Sequence, residues 1–173
     1  MDRFSELFFD DKPNDDHEYI QVYGRQDNKR VLKWFCSDYV THPTVLDRFT
    51  VLIAKANGNG TFGEILTQPI IAKPFVASTE TFISIGSFED YTEAETVLKY
   101  VKTKFARAML GILKVTQLCT PEAWAKVPLQ DFTDKSDIDW SKSVAEIDQQ
   151  LYEKYNLNQE EIDFIESKVK SME

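Results

Sequence analysis

Hydrophobic and polar residues alternate along the first half of the chain in a way that is typical of β-strands. Residues 19–24 and 30–36 alternate with a period of two around a turn-rich segment, which predicts a hairpin with a loop longer than the tightest type. Residues 49–55 are apolar and β-branched and predict a buried strand. Residues 70–71 and 81–85 are further strand candidates, and nearby prolines keep the first of these short.

Farther along the chain, the spacing of the apolar residues changes to the helical period. Thr92-x-x-Glu95 has the form of a capping box, and the apolar positions after it predict one long helix that ends near Val115. Two more capping boxes, Ser143-x-x-Glu146 and Asn158-x-x-Glu161, predict two short C-terminal helices.

This order of elements predicts an α+β fold, with a mixed or mainly antiparallel sheet from residues 19–85 and the long helix packed on one face. A brief helix is expected from about residue 41 to residue 48, because Thr41-His42-Pro43 combines an N-cap with a proline in the first turn. We divide the chain into an acidic entry segment (1–18), a body (19–117) and an acidic helical extension (118–173).

Composition and charge narrow the class of protein. With 173 residues, of which 42% are hydrophobic, the chain has enough apolar material for one core, so a disordered chain is excluded. The net charge is −9, but it is unevenly distributed. Residues 1–18 carry seven acids and two bases, and residues 118–173 carry 13 acids and six bases. The body carries nine acids and 12 bases. A mildly basic body between acidic ends weakens the objection to a nucleic-acid partner.

The chain contains two cysteines, Cys36 and Cys119, and neither an export signal nor a stretch long enough to span a bilayer. We therefore expect a reduced, cytoplasmic protein without membrane contact.

A glycine-rich segment follows the predicted strand 49–55. Its Gly58-x-Gly60-x-x-Gly63 pattern has the letters of a dinucleotide fingerprint, but only five residues remain before Pro69, too few for the required helix. Two interpretations stay open. The segment is a plain connecting loop, or its backbone N–H groups approach a phosphate or a groove. In the second case Asn57, Asn59 and Thr61 supply groups that hydrogen-bond bases or phosphates.

Basic residues occur in the hairpin, before the glycine segment and on the predicted long helix. Each group is either a solvated surface or a phosphate contact, and Lys104 and Arg107 would share one side of the helix. Trp34 and Tyr23 are either core residues or stacking platforms for bases. The candidate DNA-binding residues are Arg25, Lys29, Arg30, Lys33, Lys55, Asn57, Gly58, Asn59, Gly60, Thr61, Gln68, Lys102, Lys104 and Arg107.

No catalytic constellation is found in the sequence. Neither His17 nor His42 has a Cys or His at ligand spacing, so no metal site is predicted. Asp163-x-x-Glu166-x-Lys168 has the letters of a nuclease site, but its spacing is ordinary on a helix. Because a methylase signature is also missing, we expect no catalytic role for this chain.

Four segments resemble the C-terminal region of fused bacterial restriction-modification enzymes. They are residues 51–64 (VLIAKANGNGTFGE), 81–88 (TFISIGSF), 98–117 and 127–166, and the resemblance covers roughly residues 18–170. In that family an adenine-specific DNA methylase, often with a nuclease on the same polypeptide, is followed by a target-recognition region.

The resemblance implies a module that binds duplex DNA so that the upstream methylase can flip an adenine out of the stack. Residues 55–63 match the family's strand and glycine loop, and residues 95–115 match its long basic helix. The implied partners are double-stranded DNA and the methylase domain, with the entry segment as the connection. S-adenosylmethionine and Mg²⁺ would belong to the parent enzyme, with no cofactor or small-molecule substrate on this chain. The alternative is a structural module that docks methylase to nuclease without touching DNA.

Overall fold

The computed structural model describes residues 1–41, 45–56, 60–113 and 118–172, and these form the predicted α+β fold. Part of the predicted brief helix at residues 41–48 lies outside the described residues, and within them residues 45–47 form a turn.

A tight hairpin forms the centre of the first sheet. Strands β2 (Tyr19–Gln26) and β3 (Lys29–Cys36) pair antiparallel and leave only Asp27 and Asn28 in the turn. Both turn residues have positive φ, 49° and 61°, as a type I′ turn requires. The predicted longer loop is therefore wrong. Asp and Asn tolerate the left-handed conformation well enough to close a turn of two residues.

The first sheet carries one further strand on each side of the hairpin. Strand β1 (Phe8–Phe9) runs antiparallel to β3, and β6 (Val76–Ser78) runs parallel to β2. The second sheet is antiparallel, with β4 (Phe49–Ala54) between β5 (Ile70–Ala72) and β7 (Phe82–Phe88). We expected one sheet and find two, because β5 and β7 occupy both edges of β4 and leave none for the hairpin.

The two sheets meet at an aromatic contact. Tyr23 of β2 lies against Phe82 of β7, with ring centroids 6.4 Å apart, and both contact the small apolar cluster around Leu52. This junction brings the hairpin turn close to the end of β4, where the glycine segment begins.

Two helices replace the one long helix that the periodicity predicts. They are α1 (Tyr91–Lys102) and α2 (Lys104–Leu113), and between them Thr103 has an extended ψ of 148°. The Thr103 hydroxyl accepts a hydrogen bond from the Ala106 N–H (3.1 Å) and so caps α2. The apolar spacing continues across this break, so the sequence pattern does not reveal it.

The start of α1 also differs from the prediction. Asp90 is the N-cap, and its carboxylate accepts a hydrogen bond from the Thr92 N–H (2.8 Å). The expected Thr92-x-x-Glu95 box therefore lies inside the helix, because Asp90 is an equally good cap two residues earlier.

The C-terminal region holds α3 (Pro121–Trp124), α4 (Val144–Lys154) and α5 (Gln159–Lys168). Both predicted capping boxes, at Ser143 and Asn158, are confirmed. The largest apolar cluster combines residues of α1, α2, α4 and α5, among them Tyr100, Phe105, Ala106, Leu110, Ile147, Leu151, Tyr152 and Ile165. The extension therefore contributes to the core of the body rather than standing beside it. In the described part of the chain, no helix is both long and apolar enough to cross a membrane.

Candidate nucleic-acid interface

A cavity of about 430 Å³ lies where the hairpin approaches the end of β4 and the start of β7. Three cations line it, Arg25, Arg30 and Lys55, together with one carboxylate, that of Glu80. Ala56, the last described residue before the glycine segment, lies in its wall. The fold thus gathers cations from distant parts of the sequence beside the glycine segment.

Arg30 is the most constrained of these cations. Its guanidinium lies over the Phe82 ring, 5.2 Å from the centroid, and its Nη1 donates a hydrogen bond to the Gln68 carbonyl (2.9 Å). Its Nη2 is buried and has no hydrogen-bond partner among the described residues. Burial lowers the pKa of Arg30, against the opposing influence of Tyr23, but an arginine stays charged at neutral pH.

An unsatisfied buried donor costs about 1–3 kcal/mol, and more when it is charged. Arg30 bears this cost beside a cavity that already holds excess positive charge, three cations against the carboxylate of Glu80. The excess of positive charge around the cavity is suited to an anionic group supplied from outside the chain.

The other two cations are positioned by backbone geometry. Arg25 reaches across the hairpin turn, where its Nη2 donates to the Asn28 carbonyl (3.2 Å) and to the Asn28 side chain. Lys55 continues from β4, and its backbone is fixed by the Thr81 carbonyl (2.9 Å) and the Cys119 N–H (2.8 Å). Both side chains therefore extend from backbone that is hydrogen-bonded to a neighbouring segment, which favours a preformed site.

The glycine segment is described only in part. Asn57, Gly58 and Asn59 lie outside the described residues. Gly60 has a φ of 85°, and its N–H donates to the Glu64 carboxylate (3.3 Å). Thr61 is exposed.

Gly63 has a structural reason to be glycine. Its φ is 74°, and a Cβ there would lie 2.2 Å from the Lys168 carbonyl oxygen. Its own carbonyl accepts the Lys170 N–H (3.1 Å). The third glycine of the pattern therefore allows close contact with the end of α5.

The basic residues of α1 and α2 are used inside the molecule. Lys99 donates to the carbonyls of Trp140 (2.8 Å) and Lys142 (3.3 Å), and Lys104 pairs with Glu166. They line a second cavity, of about 780 Å³, together with Lys102, Arg107 and residues of α4 and α5.

Arg107 is 2% exposed, so the predicted phosphate contact by this residue is wrong. Its Nε donates to the carbonyls of Lys102 (3.1 Å) and Thr103 (3.2 Å), and its other nitrogens donate to those of Glu64 and Lys170. Burial lowers its pKa to about 10. It stabilises the junction of α1, α2, the glycine segment and the C-terminal region.

The remaining predicted residues fall outside the first cavity. Lys33 forms an ion pair with Asp10 of the entry segment, and Lys29 is exposed at the start of β3. Gln68 is exposed and takes part through its carbonyl, which accepts from Arg30.

Sequence reasoning missed Asn28, Thr81 and Phe82, which complete the first cavity. The turn-forming pair Asp27-Asn28 was the available indication, since a two-residue turn would have placed Arg25 and Arg30 opposite each other, as the register now does.

No family model, curated protein or solved structure matches this chain. The interpretation of the cavity therefore depends on its own chemistry and on the resemblance described above.

Proposed function

We propose that this chain is the DNA sequence-recognition module of a restriction-modification adenine methyltransferase/endonuclease, in the cytoplasm. It is not itself catalytic. It binds the duplex target so that the methylase domain of the parent polypeptide acts on a flipped adenine, with S-adenosylmethionine and Mg²⁺ held elsewhere in the parent. The resemblance of residues 51–64, 81–88, 98–117 and 127–166 supports this function.

The observation that carries the proposal is the convergence of Arg25, Arg30 and Lys55 on one cavity. Phosphate contacts position a protein on DNA, and base contacts give specificity. In the proposed mode the three cations hold backbone phosphates. The sequence places Asn57 and Asn59 directly after cavity-lining Ala56, so their amides are the proposed readers of base edges.

The interface proposed here is narrower than the one predicted from the sequence. Lys33, Lys104 and Arg107 interact with groups of the chain itself. The footprint therefore centres on the hairpin turn and the end of β4, with Lys29, Thr61 and Gln68 as peripheral contacts.

The test is fluorescence anisotropy with a labelled duplex across a salt series. Arg25→Gln and Lys55→Gln should each reduce the slope of log K against log salt by about 0.9. Arg30→Lys retains the charge but loses the planar fork, so it should weaken binding while the slope stays nearly constant. The matched control is Lys135→Gln, an exposed lysine outside the cavity, which should leave the slope unchanged. Unchanged slopes in both charge variants would refute this interface.

Base reading is tested in the parent enzyme. Asn57→Ala and Asn59→Ala should alter which sequence is methylated, whereas Lys55→Gln should weaken binding to all sequences alike. A methylation pattern that no substitution in the glycine segment changes would remove this segment from the recognition role.

A docking module without DNA contact is the second candidate. The observation that favours it is the internal use of Lys99, Lys104 and Arg107, which removes much of the basic surface. Leu129 is also 86% exposed in an acidic region, as a docking residue would be. Binding to the separate methylase domain, together with no salt-dependent binding to DNA, would establish this function instead.

A further inference from the structure

Three chemically different side chains meet at the open end of the hairpin, away from its turn. His17 lies in the loop just before β2, Cys36 is the last residue of β3, and Asp38 lies in the 3-10 turn Ser37–Tyr39 that follows. One ligand atom of each, the imidazole nitrogen, the thiol sulfur and a carboxylate oxygen, lies within 4.8 Å of the other two. The sequence predicted no metal site at either histidine. The cluster could not be seen there, because strand pairing and not sequence spacing brings the three residues together.

The cluster lies at the protein surface, with one buried ligand and two exposed ones. Cys36 is 8% exposed, whereas the side chains of His17 and Asp38 are 59% and 55% exposed. The thiol therefore forms the floor, and the imidazole and carboxylate form the rim. Because the rim is exposed, a water molecule would complete the four ligands of an ion bound here, as in zinc sites that have three protein ligands and one water.

The distances fit a tetrahedral ion after small rotations. Ligand atoms of a tetrahedral zinc ion stand about 3.5 Å apart, given bond lengths of about 2.0–2.3 Å. The His17 Nδ1 and Asp38 Oδ2 are now 2.7 Å apart, joined by a hydrogen bond. An ion between them would increase the distance between these two atoms by less than an ångström and would draw the Cys36 sulfur toward the ion. The exposed side chains on the rim have the freedom to make this adjustment.

Hydrogen bonds hold the backbone on both sides of the cluster. The Asp15 carboxylate accepts the His17 N–H (3.0 Å) and the Tyr19 hydroxyl (2.9 Å). The Glu18 carbonyl accepts both the N–H (2.9 Å) and the hydroxyl (3.1 Å) of Ser37. Ser37 stands between Cys36 and Asp38, so the two segments that carry the ligands are joined directly.

We propose that His17, Cys36 and Asp38 form a binding site for Zn²⁺. A thiolate and an imidazole select a borderline-soft transition metal over Mg²⁺ or Ca²⁺, which prefer oxygen ligands. The ion would fasten the loop that ends the entry segment to the first sheet. This role is separate from the proposed DNA contact at the opposite end of the hairpin.

The test uses the reduced protein after chelator treatment, titrated with Co²⁺ and then with Zn²⁺. We expect a thiolate-to-cobalt charge-transfer band with a stoichiometry of one ion per chain, lost when Zn²⁺ displaces Co²⁺. Cys36→Ser should abolish the band, and Cys119→Ser, the matched control at the other cysteine, should retain it. His17→Ala and Asp38→Asn should each weaken Zn²⁺ binding at least tenfold, while Asp16→Asn, a neighbouring exposed acid, should have no effect.

A second measurement protects the test against misfolding of the Cys36 variant. Zn²⁺ should raise the melting temperature of the wild type in proportion to the logarithm of its concentration, but not that of His17→Ala. His17 is exposed, so this variant is expected to fold. An equal Zn²⁺ effect in both proteins, or a charge-transfer band that survives in Cys36→Ser, would overturn the proposal.

Discussion

The buried carboxylate of Asp148 allows a quantitative prediction about stability and pH. Asp148 belongs to α4, is 2% exposed, and accepts hydrogen bonds from the N–H groups of Lys104 and Phe105 at the start of α2, both at 2.9 Å. Burial raises its pKa from 3.8 to about 6, although the two amides and the charge of Arg107 oppose the rise, and Glu166 adds to it. The charged form is thus disfavoured in the folded protein.

The sign of the pH effect follows from linkage. Because the folded pKa is above the unfolded value, the folded state binds more protons between pH 4 and pH 6, so the contribution of Asp148 to stability falls as the pH rises through this range. A difference of about two pKa units corresponds to about 3 kcal/mol of unfolding free energy. Asp148→Asn removes this dependence and loses one acceptor, which costs about 1 kcal/mol at all pH values.

Urea unfolding, followed by the fluorescence of the three tryptophans, measures the effect. The unfolding free energy of Asp148→Asn minus that of the wild type should rise by about 2 kcal/mol between pH 4 and pH 7, less than the full shift because the unfolded carboxyl is already partly ionised at pH 4. Comparison of the two proteins cancels the contributions of exposed carboxylates, such as Asp139, whose pKa is lowered by Ser141. Parallel stability curves for the two proteins over this range would refute the reasoning.

Three further substitutions test the structure. Arg107→Met should lower the unfolding free energy by about 3 kcal/mol or more, because it leaves buried carbonyls without a donor, and a loss under 1 kcal/mol in urea unfolding would contradict its structural role. Gly63→Ala should cost at least about 2 kcal/mol, because a Cβ would meet the Lys168 carbonyl at a positive φ, and a neutral result in the same assay would argue against that contact. Asn28→Val should cost about 1–2 kcal/mol, since a β-branched residue is strained at a φ of 61°, whereas Asn28→Gly should keep the turn, and equal melting temperatures for the two variants would exclude the type I′ geometry.

Local sequence patterns predicted most elements of the fold. The run 49–55 became the buried strand β4, and the boxes at Ser143 and Asn158 start helices, because strand hydrophobicity and N-capping depend on adjacent residues. The break at Thr103 was not predictable in this way. Part of the cap of α2 comes from Asp148, 44 positions later, which no local pattern contains.

The candidate sites show the same limit more strongly. The presence of a basic residue in the sequence does not show whether its charge faces solvent. Arg30 lines a cavity, whereas Arg107 is enclosed by backbone carbonyls. The His17 and Cys36 neighbourhood likewise depends on the pairing of β2 with β3, in which Tyr19 stands opposite Cys36.

The contact between Lys170 and Gly63 has a practical consequence for protein engineering. Because the Lys170 N–H donates to the Gly63 carbonyl and the Lys170 carbonyl accepts from Arg107, Lys170 holds the end of the glycine segment in place. A deletion of residues 169–170 would remove this anchor. The deletion is expected to loosen the glycine segment without removing any side chain that lines the first cavity.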